Sequence, residues 1–403
     1  MGEMVIMRAT QPLAPPDCAR VREAAIFDCC KWDPQVGDVS VLAPFALTLS
    51  HESWAELRTL AEALAAETVA AEAELAKRPE FFAKLGFGRA LRHALLGKAA
   101  SCARFMRFDF HLTRQGWRIS ECNSDVPGGF NEGSGFTALM AHELGGETCG
   151  DPALALAQAV ARGKQEGPVG LVHATAYADD RQVMEFLARK LASLGVANQA
   201  LSPDQIEWRQ GAAHARGMPL GALLRFYPAE WMPSLPRASR WPEFFSARTP
   251  AANAPRALLL QSKRWPLVWD QLKTPLPTWR ALLPETRDPR EANWRRDESW
   301  VLKPAFGRVG DGIGLHGATP EKEWPKIRRH AWWFPGSWVA QRRFETLPIE
   351  TALGPVFPSL GVYVVDGRAC GIYARCAKTP LIDQRSNEVA VLQQAPEVAH
   401  VGS

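Results

Sequence analysis

The feature that most constrains the fold is a change of hydrophobic period at residue 105. Over residues 106–111 apolar and polar side chains alternate one by one, which predicts a strand with one apolar face and one charged face. A second stretch, residues 117–123, predicts its partner strand. Arg114, Gln115 and Gly116 between them suit a three-residue hairpin loop with the glycine in the left-handed conformation. The sequence therefore predicts an antiparallel hairpin over residues 105–123.

This hairpin brings acidic side chains together on its charged face. The predicted loop places Asp109 opposite Glu121 and Arg107 opposite Asn123. Like charges directly opposite each other destabilise a strand pair, whereas two carboxylates and an amide oxygen are ordinary ligands for a hard divalent cation. The alternation leaves two interpretations equally open: a magnesium site, or a solvated face on which Arg107 bridges the acids.

A second region with chemical potential is the glycine-rich segment that follows a predicted strand bearing Lys303. Gly307, Gly310 and Gly312 permit close approach of backbone amides to phosphate oxygens, and the lysine supplies a point charge. The segment is neither a P-loop nor a Rossmann turn, because no GK[ST] precedes a helix. Taken alone, such a loop is more often a plain flexible hairpin.

Three further side chains are candidates for a nucleotide site. Lys263 follows an apolar run, Gln341 ends a predicted strand, and Arg375 lies on the last strand of a predicted hairpin. They could contact a phosphate, an adenine edge and a phosphate, respectively. Each also fits a role without function in a site: a solvated lysine, an edge-strand glutamine and an arginine paired with an acid, respectively.

The remaining sequence predicts four regions. Residues 1–104 are expected to be mainly helical, with an amphipathic helix over residues 53–77 and further helix over 79–104. Alternating helices and strands after residue 151 predict a small parallel sheet, and a Pro- and Trp-rich connector should span residues 228–255. Strands after residue 300 should form a mostly antiparallel sheet. The predicted regions are a helical region (1–104), a metal-binding hairpin with a substrate loop (105–150), an αβ substrate lobe (151–250) and nucleotide-binding lobes (251–403).

Composition narrows the class of protein. Of 403 residues, 47 are Lys or Arg and 43 are Asp or Glu, without long basic runs, so no nucleic-acid footprint is indicated. No run of eighteen apolar residues or secretory leader is evident, and the eight cysteines lack paired CxxC spacing. We expect a cytoplasmic protein with reduced thiols, in which only the adjacent Cys29 and Cys30 suggest redox sensitivity.

Taken together, these residues resemble the glutathionylspermidine synthase family of the ATP-grasp superfamily. The resemblance runs from about Arg107 to Arg375 and rests on several ordered motifs. They are Arg-Phe-Asp at 107–109, Glu-Cys-Asn-Ser-Asp-Val-Pro at 121–127, Arg-Phe-Tyr-Pro at 225–228, Ser-Lys at 262–263, Lys-Pro at 303–304 with the glycine-rich loop, Gln341 with Leu-Pro at 347–348, and Gly-Ile-Tyr-Ala-Arg at 371–375.

The resemblance implies a role for each candidate residue. Asp109, Glu121 and Asn123 would hold magnesium, and Arg107 would contact the transferred phosphoryl group. Lys263 and Lys303 would bind ATP together with the loop glycines Gly307, Gly310 and Gly312. Gln341 would lie near the adenine, and Arg375 would be a late active-site arginine.

Two departures from the family pattern affect these expectations. The family's glycine-rich loop usually carries Arg-Glu-Gly, whereas this chain has Arg308, Val309 and Gly310, which puts any role of the acidic side chain in doubt. The roughly hundred residues before Arg107 are too few for a papain-like amidase. The resemblance therefore implies a synthetase without the hydrolase.

The implied architecture is a mixed α+β and α/β protein: an ATP-grasp fold with a helical N-terminal region and a small αβ lobe of the pre-ATP-grasp type. The implied activity is a magnesium- and ATP-dependent ligase that joins a carboxylate to an amine through an acyl phosphate. The carboxylate would belong to a peptide or small molecule, and the amine to a polyamine or amino acid. Two alternatives are an ATP-dependent phosphotransferase and a non-catalytic nucleotide-sensing protein. The sequence does not indicate an oligomeric state.

Overall fold

The computed structural model describes residues 6–307, 310 and 312–394. Arg308 and Val309 of the glycine-rich loop lie outside the described residues. The α-helices are α1 (Pro15–Phe27), α2 (His51–Leu75), α3 (Arg89–Ala94), α4 (Thr137–Leu144), α5 (Pro152–Gly163), α6 (Ala178–Ser193), α7 (Leu258–Gln261), α8 (Pro277–Leu282) and α9 (Trp324–Trp333). A π-helix, Asn131–Phe136, leads into α4.

Twenty strands are described. They are β1 (Met7–Ala9), β2 (Gln35–Val36), β3 (Val39–Ser40), β4 (Leu42–Leu49), β5 (Phe105–Thr113), β6 (Gly116–Asn123), β7 (Glu147–Thr148), β8 (Val169–Val172), β9 (Asn198–Leu201), β10 (Glu207–Arg209), β11 (Ala212–Ala215), β12 (Met218–Pro219), β13 (Ala222–Arg225), β14 (Ala251–Ala252), β15 (Thr286–Arg287), β16 (Trp300–Pro304), β17 (Trp338–Arg342), β18 (Phe357–Val365), β19 (Arg368–Ala377) and β20 (Asn387–Gln393).

Short 3-10 helices occupy several connections. Their bounds are Pro79–Phe81, Pro203–Gln205, Ala229–Ser234, Arg237–Ser239, Trp241–Phe245, Pro255–Ala257, Trp265–Gln271 and Pro335–Ser337. Within the described part of the chain, no helix is both long enough and apolar enough to cross a membrane.

An eight-stranded sheet forms the centre of the molecule. Its strand order is β1-β4-β20-β19-β18-β5-β6, and β7 pairs with the end of β20. The pairs from β20 to β6 are antiparallel, whereas β4 joins β20 in parallel. The predicted hairpin β5–β6 is thus one edge of a sheet whose other strands come from both ends of the chain.

The apolar face of this sheet packs against α2. Phe108, Phe110, Leu360 and Val362 are completely buried in the same cluster as Leu57 and Leu64 of that helix. Burying each large apolar side chain contributes about 1.5–3 kcal/mol. Because side chains alternate along a strand, the charged residues of β5 and β6 are directed to the opposite face.

The N-terminal region is less helical than the sequence predicts. The amphipathic helix predicted at 53–77 is present as α2. It begins two residues earlier than predicted, because Ser50 caps it by accepting a hydrogen bond from the Ser53 amide. Residues 79–104 contain only one 3-10 turn and the six-residue α3. In addition, β4 inserts this region into the central sheet. Its continuous apolar sequence lacks the alternation that reveals a half-buried strand, since most of its residues are buried.

The predicted αβ alternation after residue 151 is confirmed. The strands β14-β13-β8-β9 form a four-stranded parallel sheet, and α5 contacts both this sheet and the central one. The strand β14 lies inside the segment predicted as an irregular connector. That segment otherwise consists largely of 3-10 turns.

The strands after residue 300 do not form one sheet, so that prediction was wrong. The strand β17 pairs with both β15 and β16 in a separate three-stranded sheet, whereas β18 and β19 lie in the central sheet. The segment after the glycine-rich loop forms no strand over residues 313–315 and contributes only an isolated bridge between Leu302 and Gly314. Local alternation identifies a strand but does not specify its partner, which here depends on contacts distant in sequence.

Candidate active site

The polar face of five strands, β6, β5, β18, β19 and β20, carries the candidate site. Asp109 pairs with Glu121 on one side and with Gly361 on the other. Arg375 of β19 pairs with Glu388 of β20. The predicted pairing of Asp109 with Glu121 and of Arg107 with Asn123 is confirmed.

The route to this register differs from the predicted one. Thr113 pairs with Gly116, so the loop has two residues, and the Thr113 hydroxyl donates to the Gly116 carbonyl at 2.7 Å. Gly116 has a φ of +89°, as expected for the left-handed position. A bulge at Ser120 then restores the expected pairing of Asp109 with Glu121.

The Arg107 guanidinium forms a two-pronged ion pair with Asp109. Its Nε and Nη2 donate to the two carboxylate oxygens at 2.7 and 2.9 Å. Its Nη1 donates to the Gly128 carbonyl at 3.0 Å and to the Tyr373 hydroxyl at 3.2 Å. Gly361 leaves room for this arrangement, because a Cβ there would lie 2.8 Å from Arg107 Cδ. The guanidinium is therefore held in one orientation over the sheet.

The three predicted metal ligands are neighbours. Asn123 Nδ2 lies 3.2 Å from Asp109 Oδ2 and 3.4 Å from Glu121 Oε1. In the described residues no three His, Cys, Asp or Glu side chains form a metal-binding cluster, so the Asn123 amide would have to complete the set. Two carboxylates and one amide are oxygen donors of the kind that Mg²⁺ prefers. The donor set fits this ion.

Burial and neighbouring cations act differently on the two carboxylates. Burial raises the pKa of Asp109, and the Arg107 guanidinium opposes the rise. Burial would also raise the pKa of Glu121, but Lys263 overcomes it and holds that pKa at about 2. Glu121 is therefore ionised at neutral pH and available to a cation.

Both predicted lysines reach the same face. Lys263 Nζ lies 2.8 Å from Glu121 Oε2 and donates to the Gly307 carbonyl at 2.8 Å. Lys303 Nζ donates to Gln341 Oε1 at 2.7 Å and to the Ser120 carbonyl at 3.1 Å. Burial lowers the pKa of Lys303 to about 8. Both hydrogen-bond partners of this ammonium are neutral, and a bound phosphate would give it an anionic one.

Two glycines of the loop adopt conformations that favour glycine. Gly310 and Gly312 have φ values of +72° and +69°. A Cβ on Gly310 would lie 2.0 Å from the Ile382 carbonyl oxygen, so the loop lies directly against the segment that follows β19. Gly307 contributes its carbonyl to Lys263.

The remaining two predicted residues lie at opposite sides of the site. Gln341 on β17 donates through Nε2 to Thr286 Oγ1 at 3.0 Å. Arg375 Nε lies 3.4 Å from Glu388 Oε1, and its Nη2 donates to the Asp383 carbonyl. Gln341 is thus linked to Lys303, and Arg375 to an acid that sequence reasoning did not identify.

These groups surround a cavity of about 560 Å³. Its size suits a small-molecule or cofactor site. The predicted residues that line it are Arg107, Asp109, Glu121, Asn123, Lys303, Gly310, Gln341 and Arg375. Lys263 lines a much smaller neighbouring cavity together with Glu121 and Gln341, whereas Gly307 and Gly312 line neither cavity.

Sequence reasoning missed several acidic residues of this cavity. Glu132, Asp179, Asp180 and Glu388 all line it. Glu132 lies on the π-helix, a type of helix often found at functional sites, and forms a buried ion pair of 2.6 Å with Lys31. Hydrophobic periodicity carries no signal for these residues, because they come from three separate elements: the π-helix, α6 and β20.

A buried ion pair explains the presence of two motif residues that do not line the cavity. Arg225 at the end of β13 and Asp125 after β6 are both completely buried and paired with each other. Arg225 also donates to the Tyr227 carbonyl at 2.7 Å, and Asp125 accepts from the Ala229 amide at 2.9 Å. The pair joins the loop after the hairpin to the parallel sheet.

The adjacent cysteines show no sign of reactivity. Cys29 and Cys30 are buried, and burial raises the pKa of Cys29 to about 12 and also raises the pKa of Cys30. The thiolate is the reactive form, so the suggested redox sensitivity is not supported. Their backbone carbonyls accept hydrogen bonds from Asn131 Nδ2, which indicates a structural role.

The sequence and the fold were compared with those of known proteins. The family model described as glutathionylspermidine synthase preATP-grasp matches residues 40–392, whereas no curated protein matches the chain. A solved apo structure of a glutathione synthetase-like effector from Globodera pallida has a TM-score of 0.66 at 11% identity, covering 95% of this chain and 98% of that one.

A putative gamma-glutamylcysteine synthetase from Methylobacillus flagellatus has a TM-score of 0.42 at 11% identity, covering 83% of this chain and 87% of that one. The family match and the shared fold of the effector confirm the predicted ATP-grasp-like mixture of helices and sheets.

Proposed function

Because this chain belongs to the glutathionylspermidine synthase family, we propose that it uses ATP to join a carboxylate to an amine through an acyl phosphate. The family and the shared fold support an ATP-dependent ligase in general. The proposal adds the type of bond, the intermediate and the residues involved.

The observation that carries the proposal is a continuous chain of contacts on one face of the sheet. Arg107 holds Asp109, Asn123 bridges Asp109 and Glu121, and Lys263 contacts Glu121. Lys303 joins the same region through the Ser120 carbonyl. Cations and carboxylates that neutralise one another in the free protein can separate when a metal ion and phosphates arrive, since each would exchange one ionic partner for another.

Each group has a role in phosphoryl transfer. When bound, Mg²⁺ would be held by Asp109, Glu121 and Asn123 and would neutralise charge on the phosphate oxygens. Lys263 and Lys303 would bind the polyphosphate, and Gln341 would lie beside the base. The guanidinium of Arg107, fixed by Asp109 and Tyr373, would contact the migrating phosphoryl group.

Both signs of charge line the cavity. Lys303, Arg107 and Arg375 are cationic and favour phosphates and a carboxylate, whereas Asp179 and Asp180 are acidic and favour a cation. An amine substrate is cationic at neutral pH. The presence of both kinds of group supports a carboxylate and an amine as the two co-substrates, with a polyamine or an amino acid as the amine.

The proposal is tested by ADP release from purified protein with Mg²⁺, ATP and pooled peptides, amino acids and polyamines. We expect release to require both a carboxylate and an amine, with an amide detected by mass spectrometry. Carboxylate labelled with ¹⁸O should transfer one label to inorganic phosphate, because the acyl oxygen leaves with the phosphoryl group.

Two variants make the test specific. Lys303→Ala and Asp109→Asn should each lower kcat/KM by about 10²–10³-fold, the typical effect of removing one group that stabilises transition-state charge. A phosphorylated product without an amide would instead identify an ATP-dependent phosphotransferase. Wild-type turnover in both variants would refute the site assignment.

A further inference from the structure

Glu388 is the acidic residue of the cavity that the proposed function leaves without a role. It lies on β20 directly opposite Arg375 and lines the cavity. Its Oε1 is 3.4 Å from Arg375 Nε, yet in the described part of the chain neither Arg375 Nε nor Glu388 Oε2 has a hydrogen-bond partner. A buried carboxylate oxygen without a donor is costly, so Oε2 is suited to accept a proton or a donor from a ligand.

The other acid close to it is already paired. Glu132 approaches Glu388 from the π-helix, but Lys31 lies 2.6 Å from its carboxylate, and Asp33 lies 3.0 Å from the same ammonium. Glu132 is thus committed to an internal ion pair. Glu388 is held less closely, by a guanidinium that also serves the Asp383 carbonyl.

The charges around Glu388 favour proton uptake near neutral pH. Burial raises the pKa of Glu388 to about 7; Arg375 opposes this rise, Glu132 adds to it, and Lys31 and Arg107 oppose it. Arg375 and Arg107 come from β19 and β5, and Glu132 and Lys31 from the segments packed above the sheet. A general base works best when its pKa lies near the working pH.

We propose that Glu388 accepts the proton of the substrate ammonium group and so generates the neutral amine that attacks the acyl phosphate. The inference rests on the proposed function. A primary ammonium group has three protons on its nitrogen. One passes to Glu388 before the attack, one passes to the departing phosphate, and one stays on the amide nitrogen. The new C–N bond forms as the acyl C–O bond breaks, and the phosphate leaves with the electron pair.

The location of Glu388 agrees with this role. Glu388 lies on β20, and the strands β19 and β18 separate it from the Arg107–Asp109 pair on β5. It therefore lies beside the phosphoryl-transfer residues and not among them. An amine held by Glu388 would therefore approach from the β20 side of the site, whereas the phosphates would be held on β5 and β6.

Two small nucleophiles test the inference. Methylammonium must lose a proton before it attacks, whereas hydroxylamine of nearly the same size is already neutral near neutral pH. The full-length protein is given Mg²⁺, ATP and pooled amino acids and peptides, with either methylamine or hydroxylamine. Amide and hydroxamate formation are then compared for the wild type, Glu388→Gln, Glu388→Asp and the control Glu147→Gln, whose exposed carboxylate lies on β7 outside the cavity.

We expect Glu388→Gln to lower amide formation from methylamine by about 10²–10⁴-fold, the usual contribution of a general base, and to leave hydroxamate formation nearly unchanged. Glu388→Asp should restore part of the methylamine activity, and Glu147→Gln should resemble the wild type. In the wild type the methylamine rate should also rise with pH through about 7, and this step should be absent from the glutamine variant.

The contrary outcomes separate the two proposals. Equal losses with both nucleophiles in Glu388→Gln, or no loss with methylamine, overturn the role of Glu388 and leave the ligase function standing. A wild type that forms hydroxamate but no amide from methylamine also overturns it. If the wild type forms neither product with any carboxylate, the ligase function itself fails.

Discussion

At the scale of single residues, Lys303 is a buried cation whose charged form a bound anionic ligand would stabilise. The residue is 6% exposed, and the hydrogen-bond partners of its ammonium are a side-chain amide and a carbonyl, both neutral. Burial lowers its pKa to about 8, Glu121 partly offsets that effect, and Lys263 adds to it. A polyphosphate would reverse the balance by supplying an anionic partner.

This charge balance predicts a proton uptake. Above a pH of about 8 the free protein holds Lys303 largely neutral, and binding of ATP should restore its proton. ATP affinity should therefore fall as the pH rises through that value. Calorimetric titration near pH 9 in two buffers of different ionisation enthalpy measures the uptake. In Lys303→Arg, which stays charged, the uptake should vanish; an unchanged uptake would assign the proton to another group.

Gly361 gives a second prediction at this scale. A Cβ there would lie 2.8 Å from both Arg107 Cδ and Tyr373 Cε1. We expect Gly361→Ala to displace the guanidinium and to lower kcat by at least about 10-fold, since small displacements of catalytic groups are costly. The control Gly336→Ala, where a Cβ meets nothing within 4 Å, should retain wild-type turnover. Normal turnover in Gly361→Ala would show that the position of Arg107 is not critical.

The sequence predicted the facing residues of the hairpin better than its loop. Alternation placed Asp109 opposite Glu121, which is correct. The loop was predicted one residue too long, and the bulge at Ser120 compensates for the difference. A bulge places one extra residue in a strand without changing which residues are apolar, so the pattern alone could not distinguish the two solutions.

At the scale of elements, α2 supports the sheet from behind and takes no part in the site. Its cap is Ser50, whose hydroxyl accepts the Ser53 amide at 3.1 Å. We expect Ser50→Ala to lower the free energy of unfolding by about 1 kcal/mol and Ser50→Gly by only a few tenths. Urea denaturation measures both. Turnover at low temperature should not change in either variant, and a lower kcat would show that α2 affects the site.

Elements that the sequence did not reveal share a physical reason. The parallel contact of β20 with β4 joins residues near opposite ends of the chain, and short β14 joins the parallel sheet through only two residue pairs. Such contacts depend on tertiary packing, which local propensity does not encode. Glu132 and Glu388 were missed for the same reason, because only these contacts bring them to the cavity.

At the scale of the whole molecule, the Asp125–Arg225 pair holds the parallel sheet against the central one. Both side chains are completely buried. We expect Asp125→Ala to cost about 3–5 kcal/mol of unfolding free energy, because it leaves a buried guanidinium without its partner. The double variant Asp125→Ala/Arg225→Met should be more stable than Asp125→Ala alone. Additive losses in denaturant titrations would contradict this coupling.

The central claim is that one face of the main sheet binds Mg²⁺ and ATP together. Calorimetric titration of a non-hydrolysable ATP analogue, with and without Mg²⁺, tests it most directly in the wild type, Glu121→Gln and Lys303→Ala. We predict that Mg²⁺ tightens binding in the wild type, that Glu121→Gln loses this tightening, and that Lys303→Ala weakens binding under both conditions. Absence of binding, or identical affinities in all three proteins, would contradict the claim.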